Sequence, residues 1–213
     1  MPHRLTAAAL FVFLTAATVA AAELPAGIAE EARLAAEYRV VAADFRQIRR
    51  LKELEMEIEI RGSMVSEKNG RLRWQVDSPA PSVTVIDRDS LTHFDRGTGK
   101  LAVIREESFP WLKVLRDSMN EWLNGDLKSL AQRFDITAPA SGELRLVPKT
   151  GELRQLYRAV ELSFDPAERL LRQVRIEETT GDELEIRFMN VKRDPAVPPE
   201  LWRMPPERRR MSE

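Results

Sequence analysis

Apolar residues recur at every second position in short runs along most of this 213-residue chain, a period that fits strands and not helices. Leu54, Met56, Ile58 and Ile60 alternate with Glu55, Glu57, Glu59 and Arg61. The pattern returns as Leu72, Trp74, Val76; as Val83, Val85; as Leu144, Leu146; as Val160, Leu162, Phe164; and as Leu184, Ile186, Phe188. Turn chemistry separates the runs: Lys68-Asn69-Gly70, Arg96-Gly97-Thr98-Gly99 and Thr179-Thr180-Gly181-Asp182 each read as hairpin connections. The spacing predicts a meander of roughly ten antiparallel strands, each with one wet and one apolar face. The apolar face either packs against its own core or, on a curved sheet, stays open for an apolar ligand.

Helical spacing interrupts the strands in three places. Residues 25–38 carry Ile28, Ala32, Leu34, Ala35 and Tyr38 among charged neighbours. Ser108-Phe109-Pro110 opens a segment with Trp111, Leu115, Met119 and Trp122 on one face, closed by Asn124-Gly125. Asp126 then caps a short helix over 127–134 with Leu127, Leu130, Ala131 and Phe134 as its stripe. The predicted fold class is therefore α+β, an antiparallel sheet covered by helices. The proline-rich tail from Pro195 predicts a Leu201-Trp202 contact followed by a frayed basic end over 205–213, which includes Arg208, Arg209 and Arg210.

The first residues predict export. Arg4 precedes an apolar run and the small residues Ala20, Ala21 and Ala22, the pattern of a cleavable signal peptide over 1–22. The chain has no cysteine, which excludes disulfides and a lipidated cysteine after the cleavage site. The remaining 191 residues form one expected domain over 23–204, in a soluble protein placed most simply in a bacterial periplasm. Loss of Arg4 brings the formal net charge from −1 to about −2, so nucleic acid is not an expected partner.

The chemistry the chain lacks narrows its function. One histidine, His93, remains after signal removal, which excludes histidine-rich zinc sites, and cysteine nucleophiles are absent. There is no G-x-S-x-G elbow, and His93 sits in a strand-like run, Ser90-Leu91-Thr92-His93-Phe94-Asp95. Gly97-Thr98-Gly99-Lys100 lacks the upstream glycine and following hydroxyl of a phosphate loop and reads as a turn. Paired carboxylates such as Glu106-Glu107, Glu177-Glu178 and the Glu55, Glu57, Glu59 row keep a carboxylate-dependent hydrolase open as an alternative. Glutamates at every second position opposite an apolar row are also what a solvated sheet face presents. No enzymatic activity, cofactor or metal is expected.

The order of elements resembles the LolA-type outer-membrane lipoprotein carriers. Asp44-Phe45-Arg46-Gln47 resembles the opening F-x-Q strand of that family, Gly62 the glycine of its second strand, and Arg71-Leu72-Arg73-Trp74 its F-x-W third strand, with Pro79 in the following turn. Val85-Ile86-Asp87 with Leu91 and Asp95 resembles its next hairpin. Residues 183–191, with Leu184, Ile186, Phe188 and Val191, resemble its late T-x-I-x-F-x-x-V strand. The resemblance spans about residues 23–204, and the order of the motifs carries it.

The resemblance implies a half-open antiparallel barrel whose concave apolar face, capped by helices, carries the acyl chains of a lipoprotein or a related acylated envelope molecule through the periplasm. It implies a monomer that takes cargo from an inner-membrane donor complex and passes it to an outer-membrane acceptor. On this basis Met56, Ile58, Ile60, Trp74, Val85, Ile186 and Phe188 are expected to line the sheet side. Trp111, Leu115, Met119 and Trp122 are expected to line the lid. The family's arginine before the third strand is replaced here by Lys68-Asn69, so Lys68 is the candidate lid latch, without the planar fork of a guanidinium. A sheet packed shut, acting only as an interaction module, remains the other alternative.

Overall fold

A computed structural model describes residues 38–204 apart from 69, 88, 106–126, 141, 150 and 166–169. The signal peptide over 1–22, nearly all of the predicted N-terminal helix, Trp111, Leu115, Met119 and Trp122, the Glu106-Glu107 pair and the basic end over 205–213 lie outside the described residues.

Eleven antiparallel strands, close to the roughly ten expected, form one open, curved sheet: β1 (Val40–Leu51), β2 (Met56–Glu67), β3 (Leu72–Ser78), β4 (Ser82–Ile86), β5 (Ser90–Asp95), β6 (Leu101–Arg105), β7 (Phe134–Thr137), β8 (Glu143–Pro148), β9 (Tyr157–Phe164), β10 (Leu171–Glu178) and β11 (Glu183–Arg193). Their spatial order is β6-β5-β4-β3-β2-β1-β11-β10-β9-β8-β7. Two meanders are thus joined where the first strand pairs with the last, leaving β6 and β7 as edges. All three predicted hairpin turns fall between paired strands, at β2–β3, β5–β6 and β10–β11. Helix α1 (Leu127–Arg133) precedes β7, helix α2 (Gly151–Leu156) precedes β9, and a 3-10 turn spans Pro199–Trp202. Leu130 of α1 and Leu153 of α2 belong to the same buried cluster as the sheet residues, so both helices cover one face.

Register fixes which residues share that face. Phe45 pairs with Gly62 and Phe188, and Gln47 with Ile60 and Ile186. Val174 and Ile176 continue the same side into β10, Leu162 and Val160 into β9, and Leu144 and Leu146 into β8. This is the concave side. At the far end of β11, Asn190 takes a left-handed conformation (φ 51°) inside a register shift against β1. The extra residue keeps Phe188 and Val191 both on the clustered side.

The opposite face of the central strands is charged. One row across the sheet reads Arg145, Glu161, Arg175, Glu185, Ile48, Glu59. Arg175 lies 3.6 Å from Glu161 and 3.5 Å from Glu185, and Arg145 bonds Glu161. Arg46 and Arg61 each approach Glu59 to 2.6 Å. Opposite charges directly across strands favour this register, while water holds each pair's contribution to about 0–1 kcal/mol.

Beyond β3 the polarity of the sheet inverts. Val83 and Val85 pair with Gln75 and Arg73, on the side away from Trp74, and Phe94 pairs with Val83. All three are buried on the convex side, although they are not part of the main cluster. The C-terminal segment is held to this side: Arg73 Nη1 donates to the Leu201 carbonyl (2.7 Å), and the Arg71 guanidinium stacks 4.4 Å from the Trp202 ring centroid. The Leu201-Trp202 contact expected from sequence is therefore present.

Candidate functional site

Burial along β2 defines the site. Met56 is 52% exposed, Ile58 and Ile60 are half-buried, Gly62 is buried and Met64 is 1% exposed. The same gradient runs along β1, from half-buried Leu51, Arg49 and Gln47 to buried Phe45 and Ala43. In β11, Leu184 is more exposed than Ile186 and Phe188. The concave face thus has an accessible end beneath the β1–β2 hairpin and a closed end near Met64. At the closed end, Val41, Ala43, Met64, Leu171, Phe188 and neighbours enclose only about 10 Å³, room for no more than a water. Along β2, the accessible apolar residues of this face are Met56, Ile58 and Ile60.

Gly62 lets the two halves of the floor meet. A Cβ there would lie 2.8 Å from Phe45 Cζ and 1.9 Å from the Gln75 carbonyl oxygen. Without it, Phe45 and Trp74 stack across β2 with ring centroids 3.9 Å apart.

Six of the seven expected sheet-side residues share this face: Met56, Ile58, Ile60, Trp74, Ile186 and Phe188. Val85 does not. Its register partner is Arg73, so it faces the convex side, on which Arg73 bonds the Leu201 carbonyl. Thr84 and Ile86 occupy the concave side of β4 instead. Alternation alone could not reveal this, because β4 carries its valines on the face opposite to the apolar face of β3. His93, in β5 as expected, pairs with Thr84, and its Nδ1 is 2.9 Å from Thr84 Oγ1. Lys68 lies in the β2–β3 turn, with its backbone amide bonded to the Arg39 carbonyl. Trp111, Leu115, Met119 and Trp122 lie outside the described residues.

Two polar residues of the concave floor were not among those expected to line it: Gln47, named only for its place in the F-x-Q run, and Arg49. Gln47 sits between Ile60 and Ile186, and Arg49 between Ile58 and Leu184. Their parity with Phe45 was the available signal. Arg49 lies 3.0 Å from Glu178 and 3.7 Å from Asp182. Burial, aided by the charge of Glu178, pushes the nearby Tyr157 hydroxyl up.

Glu57, Glu59 and Glu177 follow the solvated-face reading, while Glu178 meets Arg49 at the concave floor. Glu57 pairs with Arg50, Glu59 with Arg46 and Arg61, Glu177 with Arg145 and Glu178 with Arg49. Hydrogen bonds from Arg46 and Arg61 hold Glu59 down at about 2. For Glu185, burial is outweighed by Arg187 and Arg175, and its carboxyl also falls below the ordinary range. A catalytic acid needs the opposite shift. Among the described residues, no group of three or more His, Asp or Glu is placed to hold a metal. A wider groove of about 540 Å³ lies over the β11 bulge, where Asn190 Nδ2 donates to Asp44 Oδ2 at 2.8 Å. That bond uses the two groups on each other.

A family model described as outer membrane lipoprotein carrier protein LolA matches residues 36–205. An outer-membrane lipoprotein carrier protein of Pseudomonas entomophila is 28% identical over 147 residues, covering 66% of this chain and 65% of that protein, just under two thirds of its length. One from Legionella pneumophila (strain Corby) is 23% identical over 169 residues, covering 79% and 80%. The fold is also similar to the crystal structure of an uncharacterized conserved protein from Thermus thermophilus, with a TM-score of 0.51, 14% identity and coverage of 84% and 92%.

Proposed function

The chain belongs to the LolA family of outer membrane lipoprotein carriers, and from that premise we propose that its concave face shelters acyl chains of a lipoprotein or related acylated molecule during passage to the outer membrane. The observation that carries this reading is the accessible end of an otherwise buried apolar face: Met56 is 52% exposed at the head of a row continued by half-buried Ile58 and Ile60. Such a row left to water is unfavourable, and each methylene sheltered on it contributes about 0.8 kcal/mol. A few chains are then held without covalent chemistry and released to a tighter acceptor.

In this reading the predicted signal peptide exports the protein to the periplasm, where it works as a monomer. Trp111, Leu115, Met119 and Trp122 are the candidate lid residues, and Lys68 is the candidate latch. Donor and acceptor are membrane complexes on either side of that compartment. Among the described residues, Glu57, Glu59, Glu177 and Glu178 each pair with an arginine, which supports a carrier over a hydrolase.

Native mass spectrometry of the protein purified from its own envelope tests the reading: copurified acylated molecules are expected. Met56→Glu, which places a charge at the exposed head of the row, should abolish that cargo with the protein still folded. Undiminished cargo on the variant, or a wild-type protein that carries none, overturns it.

A further inference from the structure

Two guanidinium groups converge on one neutral oxygen on the convex face. Arg73 Nη2 and Arg96 Nη2 donate to Gln75 Oε1 at 3.2 Å and 3.1 Å. Arg73 is 9% exposed, between Val65 and Val85 of the neighbouring strands, and its Nη1 donates to the Leu201 carbonyl. Arg96 stands exposed in the β5–β6 turn. Among the described residues neither guanidinium has a carboxylate partner. In contrast, Arg46, Arg49, Arg61, Arg145, Arg175 and Arg187 each meet a carboxylate at no more than 3.6 Å. The acids beside the pair in sequence are turned to other donors: Asp77 accepts from Gln75 Nε2 at 2.9 Å, and Asp95 from the amides of Gly97 and Thr98 at 2.8 Å and 3.1 Å. Burial, and then the charge of Arg96, pull the Arg73 guanidinium down from its ordinary value, with no carboxylate countering them.

Two like charges gathered on one amide oxygen, one of them largely stripped of water, are unfavourable until an anion joins them. Of the five N–H donors of a guanidinium, Arg73 uses two here and Arg96 one. The remaining donors form planar forks suited to oxyanions, and a tetrahedral group meets two forks at once where a halide cannot. We infer that Arg73 and Arg96 form an anion site on the convex face, and that its ligand is a phosphate-class oxyanion, free or at the head of a lipid. Exposed Arg96 receives the ligand, and Arg73 is the buried floor against which it rests. The site lies on the opposite side of the sheet from the acyl-carrying surface and stands independently of that reading.

Titration calorimetry of the purified protein with inorganic phosphate, at neutral pH and an ionic strength held constant with chloride, should show saturable binding. Arg96→Gln, a change at an exposed turn, should weaken it at least about tenfold. Arg172→Gln, at an exposed position of β10, should leave it unchanged. Sedimentation with vesicles identifies the source of the oxyanion. Retention on phosphatidylglycerol but not phosphatidylcholine vesicles, lost in Arg96→Gln, assigns a lipid head group; phosphate binding without retention assigns the free ion; either supports the site. No phosphate binding together with no retention overturns it. So does an Arg96→Gln protein that binds within about twofold of wild type, or an Arg172→Gln protein that loses as much as Arg96→Gln.

Discussion

The rings of Phe45 in β1 and Trp74 in β3 stack at 3.9 Å with 26° between their planes, although β2 runs between their strands. They meet because Gly62 has no side chain. Gly62→Ala forces its methyl against the Gln75 carbonyl and the Phe45 ring. The expected loss is about 1–3 kcal/mol, seen as a fall in Tm of roughly 2–12 °C for a chain of this size. A thermal melt within a degree of wild type would show that the strands part there at no cost.

Val85 and Ile58 separate stability from binding. Val85→Ala opens a void on the convex side and should cost about 1–3 kcal/mol, with displacement of N-phenylnaphthylamine by monooleoylglycerol unchanged. Ile58→Glu, on the accessible end of the concave side, should weaken that displacement at least tenfold with a smaller effect on the melt. Reversed outcomes would place the binding surface on the wrong side of the sheet.

Acid should loosen the charged face. Glu59 is held at about 2 against an ordinary 4.5 by hydrogen bonds from Arg46 and Arg61. A carboxyl held down in the fold stabilises it above its ordinary value and loses that contribution as pH falls from about 4.5 toward 2. Melts recorded at neutral pH and through that window should show Tm falling, and Glu59→Gln should flatten the fall. A parallel decline in the variant would assign the acid sensitivity to other carboxyls.

The C-terminal segment has a structural task. Ending the chain after Pro195 removes the Leu201 carbonyl that accepts from Arg73 and the Trp202 ring under Arg71. Val83, Val85 and Phe94 should then become accessible, at about 1.5–3 kcal/mol for each side chain left fully to water. Increased anilinonaphthalene sulfonate fluorescence together with a lower melt is expected. Unchanged dye binding would mean that these residues are covered by something else.

Much of this architecture was legible because period-two alternation and turn residues are local signals. The Leu72, Trp74, Val76 run, the Leu184, Ile186, Phe188 run and all three hairpin turns fall where they were expected. The run from Leu54 was overextended: Lys52 to Glu55 form the turn, Glu55 has φ 49°, and the strand starts at Met56. Helix α2, six residues long, is too short for a periodic signal, and edge strand β6 escaped notice because Leu101-Ala102-Val103-Ile104 is continuously apolar and does not alternate. Face assignment failed at Val85 because alternation gives parity within a strand but not which side faces the core. On that side its register partner Arg73 bonds Leu201, more than a hundred residues along the chain, a link no local pattern carries. Gln47 and Arg49 were overlooked for a related reason, since a polar residue at a core parity looks like an interruption until its neighbours across both strands are known.

The pairing of β1 with β11 has a consequence for the order of folding. Arg50 meets Glu183 across a sequence separation of 133 residues, and neither meander can be joined to the other until nearly the whole polypeptide is available. Contacts of such high order form slowly, and each half presents a bare strand edge while it waits. Until the last strand arrives, β1 is therefore itself an unguarded edge in need of cover.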